Sequence, residues 1–391
     1  MEIENKGINS VKGFACIGKH IGIKKKKKDI AVLYSKNICN TVAVFTKNKI
    51  KGAPLYVTKE HLHDGKAQAI VINSGIANVS TGQTGIDNAG EMTEIVANEL
   101  EISKDLVLVA STGIIGKPLP MEKIRHGLVD LKNELETQDS GDDFANAILT
   151  TDTATKQVSV TTEKFAVAGT AKGSGMISPN MATMLAFIVT DADICTKNLQ
   201  NMFSSGVNKS FNMINVDMDT STSDMAIIMA NGIAGKVDEN IFKKALDIVC
   251  IELAKMIAMD GEGATKLIVA KAINAKTTED AKKIAKAIVN STLIKCAIFG
   301  NDPNYGRVLC AIGNTDAEFE ENKIQIFIND FPVFTEGQQS PDFDIKKISK
   351  SIMEEKTTTI TIILNSGTEQ ATAYGCDMSY DYVKINSCYT T

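Results

Sequence analysis

Ala171-Lys-Gly-Ser-Gly-Met-Ile-Ser-Pro-Asn-Met-Ala-Thr-Met-Leu-Ala-Phe187 joins a glycine-rich loop, with one proline, to the apolar run at residues 184–189. Glycine and proline punctuate regular structure, and a short apolar run bounded by them suits a buried strand. Thr183 stands at the junction, directly after Ala182. A threonine hydroxyl attacks a carbonyl poorly until a base takes its proton. A free α-amine, which titrates near about 8, is such a base, and carrying it on the same residue as the hydroxyl dispenses with histidine. Cutting the chain between Ala182 and Thr183 would create that pairing. Read alone, the same residues also describe a strand entry in which a threonine simply packs.

Outward from this junction, strands and helices interleave. Ala69-Ile-Val-Ile72 reads as a buried strand ended by Asn73-Ser-Gly75, and Leu106-Val-Leu-Val109 as another that runs into Ser111-Thr-Gly-Ile-Ile-Gly116. A turn over 82–85 should precede a helix through Met92, Ile95, Val96 and Leu100, apolar at steps of three to four. Residues 156–171 alternate like a strand pair with one exposed face. Phe242, Leu246, Val249, Leu253 and Ile257 predict an amphipathic helix that runs into Asp260-Gly-Glu-Gly263 and the strand Leu267-Ile-Val-Ala270. A further helix covers roughly 279–289, and 357–364 is a β-branched strand. There is neither a repeat nor a low-complexity linker. The fold class is α/β (α+β).

Composition removes several functions. The 391 residues are 43% hydrophobic and 23% charged, as in soluble globular proteins, and that length allows about two to three domains. The net charge of −5 offers no general attraction to nucleic acid or anionic lipid. No apolar run approaches the about 20 residues of a membrane-spanning helix, and Met-Glu-Ile-Glu-Asn-Lys at the start lacks the regions of a secretory signal. Eight Cys without a Cys-x-x-Cys read as reduced, mostly buried thiols of a cytoplasmic protein. Of the four His, at 20, 61, 63 and 126, only His61 and His63 lie close together. With no Cys beside them they read as solvated loop residues, and neither metal nor resident cofactor is expected. The five lysines at 24–28, followed by Asp29, read as a solvated loop, since stacking aromatics are lacking. Serine-hydrolase elbow, P-loop and dinucleotide fingerprint are all missing from the sequence.

Lys172-Gly-Ser-Gly-Met-Ile-Ser-Pro-Asn-Met-Ala-Thr-Met-Leu185 resembles the cleavage-site signature of the ornithine acetyltransferase family, the glutamate N-acetyltransferases of arginine biosynthesis. Further matches follow in the family's order: Lys12-Gly-Phe14, Phe45-Thr-Lys-Asn48, Asn73-Ser-Gly-Ile-Ala-Asn78, Ser111-Thr-Gly-Ile-Ile-Gly116 and Thr150-Thr-Asp-Thr153. Beyond Thr183 come Phe211-Asn212, Val216-Asp-Met-Asp-Thr-Ser-Thr222, Asp260-Gly-Glu-Gly-Ala-Thr-Lys266, Asp302-Pro-Asn-Tyr-Gly-Arg307, Tyr374-Gly-Cys-Asp377 and Asn386-Ser-Cys-Tyr-Thr-Thr391. The resemblance implies a layered α/β sandwich like that of N-terminal-nucleophile hydrolases. It also implies self-cleavage after Ala182 into an α chain (1–182) and a β chain (183–391), assembled as a heterotetramer of two α and two β chains. Thr183 would take acetyl from N²-acetyl-L-ornithine and pass it to L-glutamate by ping-pong transfer.

The same resemblance assigns Thr112 and Gly113 to oxyanion stabilisation and Thr150, Lys172, Thr183, Glu262, Asn386 and Thr391 to substrate binding. Asp302–Arg307 is expected to scaffold the site. Tyr305 and Tyr374 stand where the family usually has Trp, and Ile76 where it has Asn. The family holds enzymes confined to acetylornithine and enzymes that also use acetyl-CoA, and no motif sorts this chain between them. The competing class is an N-terminal-nucleophile amidohydrolase or aminopeptidase. Lys172 with Glu262 suits a zwitterionic acceptor, whereas a peptidase needs an open apolar cleft.

Overall fold

In the computed structural model, which describes residues 1–178 and 184–388, the interleaved pattern becomes two sheets with helices packed on them. The first runs, in spatial order, Glu2–Glu4, Lys156–Thr161, Ala166–Lys172, Leu185–Asp193, Met225–Lys236, Ile30–Phe45, Lys66–Ile76 and Val107–Ile114, with Phe14–Lys19 also paired to Ile30–Phe45. Leu185–Asp193 is antiparallel to Ala166–Lys172 and parallel to Met225–Lys236. It reads as an uninterrupted apolar run because both its faces are covered. Ala186 and Ile188 pack with Phe203 and Phe242 of the helices Thr196–Lys209 and Glu239–Met259. Leu185, Phe187 and Val189 meet Phe144 and Ile148 of Gly141–Ile148 on the other side. Burying one such side chain contributes about 1.5–3 kcal/mol.

The second sheet lies wholly after residue 213: Gln338–Gln339, Phe331–Thr335, Gln325–Ile328, Thr357–Ile363, Leu267–Ala275, Glu369–Cys376 and Ile214–Asn215. Its core takes Ile284, Ala285 and Ile288 from the helix Thr278–Asn290, which starts where the Thr277 hydroxyl accepts the Asp280 N–H at 3.1 Å. An oxygen acceptor at that position satisfies an otherwise orphan N–H.

Several expectations change on this frame. The strand pair at 156–171 forms, as Lys156–Thr161 and Ala166–Lys172, but nearly every residue in it is buried. The helix Glu239–Met259 covers one face and the core around Phe144 and Phe187 the other, so no face is exposed. The helix through Met92 begins at Gly82 itself, without a preceding turn over 82–85. Gly85 serves close approach, since a Cβ there would lie 2.0 Å from the Thr81 hydroxyl. His61 is buried, its Nδ1 2.7 Å from the Val107 carbonyl, while His63 is exposed. Only Cys16, Cys39, Cys250 and Cys376 are buried; Cys195, Cys296, Cys310 and Cys388 lie on outer helix faces or helix ends. Asp302–Arg307 packs on the core of the second sheet, with the Tyr305 ring 5.6 Å from Phe343 and 6.1 Å from Phe334. Among the described residues, no helix is long and apolar enough to cross a membrane.

Candidate active site

The ends of several strands of the first sheet meet around one cavity. Val107–Ile114 delivers Thr112 and Gly113, paired in parallel with Ser74 and Gly75. Gly113 has φ +130°, and a Cβ there would lie 2.3 Å from the Gly75 carbonyl carbon, so only glycine fits. Ala166–Lys172 ends at Lys172, in register with Leu185, and Met225–Lys236 starts just past Asp224. The Asp224 carboxylate accepts the Met184 N–H at 3.0 Å. These ends surround a cavity of about 160 Å³ whose lining includes Thr112, Gly113, Thr150, Lys172, Glu262 and Asn386.

Glycines let the second half of the chain close this cavity. A Cβ on Gly175 would sit 2.3–2.5 Å from the Glu262 carboxylate, so its absence admits that carboxylate to the site. The Glu262 N–H donates to the Ser174 carbonyl at 3.0 Å, fixing one loop on the other. Asn386, from the helix Tyr380–Cys388, donates through Nδ2 to Glu262 at 2.8 Å. Asp217 accepts the N–H groups of Met176 and Ile177 at 2.6 and 2.9 Å, which pins the loop that leads toward residue 179.

The electrostatics centre on a buried ammonium. Lys172 is 3% exposed and donates to the Thr112 hydroxyl at 3.4 Å. Burial pushes its pKa below the ordinary lysine value, and Lys156 adds to this; the carboxylates of Asp152, Asp224 and Glu262 oppose it. Asp152 accepts from Lys156 at 2.7 Å, from the Gly173 N–H at 2.6 Å and from the Thr150 N–H at 3.0 Å. Burial alone would raise the Asp152 pKa, but the charges of Lys172 and Lys156 and these hydrogen bonds hold it well below the usual carboxylate range. Asp260 closes the network through Lys156 at 2.6 Å. Burial raises Asp224 well above that range, against the Met184 hydrogen bond and Lys172, and among the described residues its Oδ2 has no partner.

Of the expected site residues, six meet in this cavity: Thr112, Gly113, Thr150, Lys172, Glu262 and Asn386. Ala182, Thr183 and Thr391 lie outside the described residues. Sequence reasoning passed over Asp152, Lys156, Asp217 and Asp224, although Asp152 and Asp217 lie inside quoted motifs. It also misread Lys24. That residue is not solvated; its ammonium donates to the carbonyls of Lys28 and Leu149, each at 2.7 Å, beside Thr150. Burial pushes Lys24 down to about 8, with Asp29 opposing. Lys25, Lys26 and Lys27 are exposed as expected. Ile76, where the family has Asn, contributes only its carbonyl to the adjoining turn, accepting Asn73 Nδ2 at 2.8 Å.

Known proteins resemble the chain over its whole length. The chain is 47% identical over 407 residues to the arginine biosynthesis bifunctional protein ArgJ of Caldanaerobacter subterraneus subsp. tengcongensis, covering all of both chains. It is 47% identical over 403 residues to the protein of the same name from Listeria monocytogenes serovar 1/2a, again over both full lengths. A crystal structure of arginine biosynthesis bifunctional protein ArgJ from Bacillus halodurans superposes with TM-score 0.50 at 40% identity, covering 51% of this chain and 96% of that one. The profile of the ArgJ family matches residues 15–391, and the chain belongs to that family.

Proposed function

We propose that this protein transfers the acetyl group of N²-acetyl-L-ornithine to L-glutamate, giving L-ornithine and N-acetyl-L-glutamate, as a step of arginine biosynthesis. The observation that carries the reading is the meeting of Thr112, Gly113, Lys172 and Glu262 in one small cavity at the strand ends. Full-length relatives named for arginine biosynthesis support the same activity.

In this reading Thr183 first attacks the Ala182 carbonyl. The resulting ester is hydrolysed, and the Thr183 amine is freed. That amine then takes the hydroxyl proton as Thr183 attacks the acetyl carbonyl of acetylornithine; the amide C–N bond breaks and ornithine leaves with the proton. The glutamate amine attacks the acetyl ester, and the threonine hydroxyl is restored. Thr112 accepts from Lys172, so its own proton is left for the tetrahedral oxygen, with the Gly113 N–H as the second donor. The Lys172 ammonium and the Thr150 hydroxyl suit an amino-acid carboxylate, and Glu262, braced by Asn386, suits its ammonium. A peptidase reading fits poorly, because this cavity is small and lined by charge.

Cleavage at 182 would leave the pieces interlocked. The proposed cut lies between Ala166–Lys172 and Leu185–Asp193, neighbours in one sheet paired from Val167–Thr190 to Lys172–Leu185. Met225–Lys236 and Ile30–Phe45 pair across the same division. The Bacillus halodurans chain, spanned over 96% of its length by 51% of this one, is the size of one such piece. Assembly of two α with two β pieces belongs to the same proposal. A second donor, acetyl-CoA, fits the same acyl-enzyme, since any acyl donor to Thr183 feeds the same acceptor step.

The test is partial exchange. Labelled ornithine should enter acetylornithine in the absence of glutamate, as ping-pong transfer requires. Exchange that needs glutamate would overturn the acyl-enzyme.

A further inference from the structure

A single buried ammonium links three segments that carry polar groups of the cavity. Lys156, 1% exposed, opens the strand Lys156–Thr161 and is not itself among the described residues that line the cavity. Its Nζ donates to Asp152 at 2.7 Å, to Asp260 at 2.6 Å and to the Ala154 carbonyl at 3.2 Å. Each carboxylate holds further groups. Asp152 accepts the N–H of Thr150 and the N–H of Gly173, the residue after Lys172. Asp260 accepts the Thr153 N–H at 3.1 Å and the Thr153 hydroxyl, and its own carbonyl accepts the Ser174 hydroxyl at 2.7 Å. Two residues on stands Glu262, whose N–H donates to the Ser174 carbonyl. Thr150, Lys172 and Glu262 thus each lie within two residues of a bond to this centre.

Stability is a weak reason for such a centre. Two carboxylates that share one ammonium stand close enough to repel, and burying all three ions costs hydration; apolar side chains of similar volume are often as stable or more so. The strand also has other anchors. It pairs with Ala166–Lys172 over its whole length, and Val158 and Val160 enter the core. What the ions add is direction and distance, because each charge-assisted bond fixes a donor to an oxygen. Lys156 belongs to the part of the chain before the proposed cut and Asp260 to the part after it, so their bond also joins the two pieces.

We propose that Lys156 is a positioning residue that acts through Asp152 and Asp260. It fixes the separation between Thr150 with Lys172, on one side, and Glu262 on the other, and thereby the fit of an amino acid that carries both a carboxylate and an ammonium. The proposal rests on the acyl-transfer reading above, in which these groups hold the amino acid. Without the Lys156 ammonium the carboxylates of Asp152 and Asp260 repel, and the segment 150–153 is pushed from 260–262. An amino acid that reaches one holding group then misses the other.

The test is binding of L-ornithine to the whole protein by titration calorimetry, as wild type, Lys156→Met and Asp260→Asn, with each substitution repeated beside Glu262→Gln. Kinetics of acetyl transfer from acetylornithine to glutamate run in parallel. Lys156→Met should weaken ornithine binding about tenfold and raise KM for both substrates to match, with kcat held within about threefold. Beside Glu262→Gln the further loss should shrink to about twofold, because a residue that acts through Glu262 then has little left to misplace. Asp260→Asn, which keeps the pair of Lys156 with Asp152, should move binding the same way, and it carries the test if Lys156→Met does not fold. Unchanged affinity in a folded variant overturns the proposal. So does the full tenfold loss beside Glu262→Gln, and so does a fall in kcat and melting temperature at constant affinity. A wild type that binds ornithine without transferring acetyl strikes the acyl-transfer reading alone, and the affinity comparison still decides the role of Lys156.

Discussion

Lys172 and Leu185 are the terminal register pair of the ladder between Ala166–Lys172 and Leu185–Asp193. A buried ammonium therefore stands where the strand that follows Thr183 begins. It feels the charges of Asp152, Asp224 and Glu262 and donates to the Thr112 hydroxyl. A lysine 3% exposed loses its hydration and gains no apolar packing that a methionine would lack, which accords with the substrate-binding role proposed for it.

Lys172→Met should therefore fold and fail. Asp152 keeps Lys156 as its partner at 2.7 Å, so the network survives the loss of one cation. The expected result is a fall in kcat/KM of about a hundredfold or more, with KM for the amino-acid acceptor rising, as for loss of a buried charge partner. Steady-state kinetics with circular dichroism decide it. Wild-type kinetics in a folded variant would remove Lys172 from the site.

Thr112→Ala and Gly113→Ala separate chemistry from fold. Thr112→Ala should leave the melting temperature nearly unchanged and lower kcat by about a hundredfold, the scale of one lost oxyanion donor. Gly113→Ala should instead destabilise by about 2 kcal/mol or more, because φ is +130° and the new Cβ would lie 2.3 Å from the Gly75 carbonyl carbon. Thermal unfolding of both variants tests the contrast.

Asp152→Asn should show its cost as a function of pH. The folded Asp152 pKa lies below its ordinary value of 3.8, because the attraction of Lys172 and Lys156 outweighs burial. A carboxyl depressed on folding stabilises above its unfolded pKa and loses that stabilisation as pH falls through the folded pKa. The wild type should exceed the variant by about 3 kcal/mol near neutrality. The gap should close as pH drops below 3.8. Denaturant titrations across this range check it, and a gap independent of pH would contradict the ionised network.

How much of this was legible in the sequence follows from what each signal encodes. The helix Glu239–Met259 was readable because its buried residues recur at helical spacing. The double burial of Lys156–Thr161 was not, since small and β-branched residues alternate there whether one face or two are covered. Lys24 was hidden by composition, because a lysine run carries no sign that its first member will reach the Leu149 carbonyl. Thr112, Lys172 and Glu262 were found through motifs. Asp152 lay inside one without a role, for its partners at Lys156 and Gly173 exist only once strands pair. Asp224 lay just beyond a quoted motif, and nothing local marks a carboxyl that will receive the Met184 N–H.

The base should be an amine and not an imidazole. His20 lies beside Lys27 and Asp29, His61 against Val107 and His63 by Glu60, and His126 is exposed; none of them lines the cavity. The acidic limb of kcat/KM should report one group at about 8 or somewhat lower, where a partly buried α-amine titrates. Replacing each histidine by glutamine should leave the limb in place. Its loss in any one variant would assign the base to that ring.

The central claim is an acetyl group carried on Thr183. Mixing the protein with acetylornithine in the absence of glutamate, quenching in acid, and taking intact and peptide masses tests it directly. The expected result is two fragments divided between Ala182 and Thr183, with one acetyl group on the fragment that begins at Thr183, removed when glutamate is added before the quench. An uncut chain that still transfers acetyl, or an acetyl group on any other residue, would contradict it.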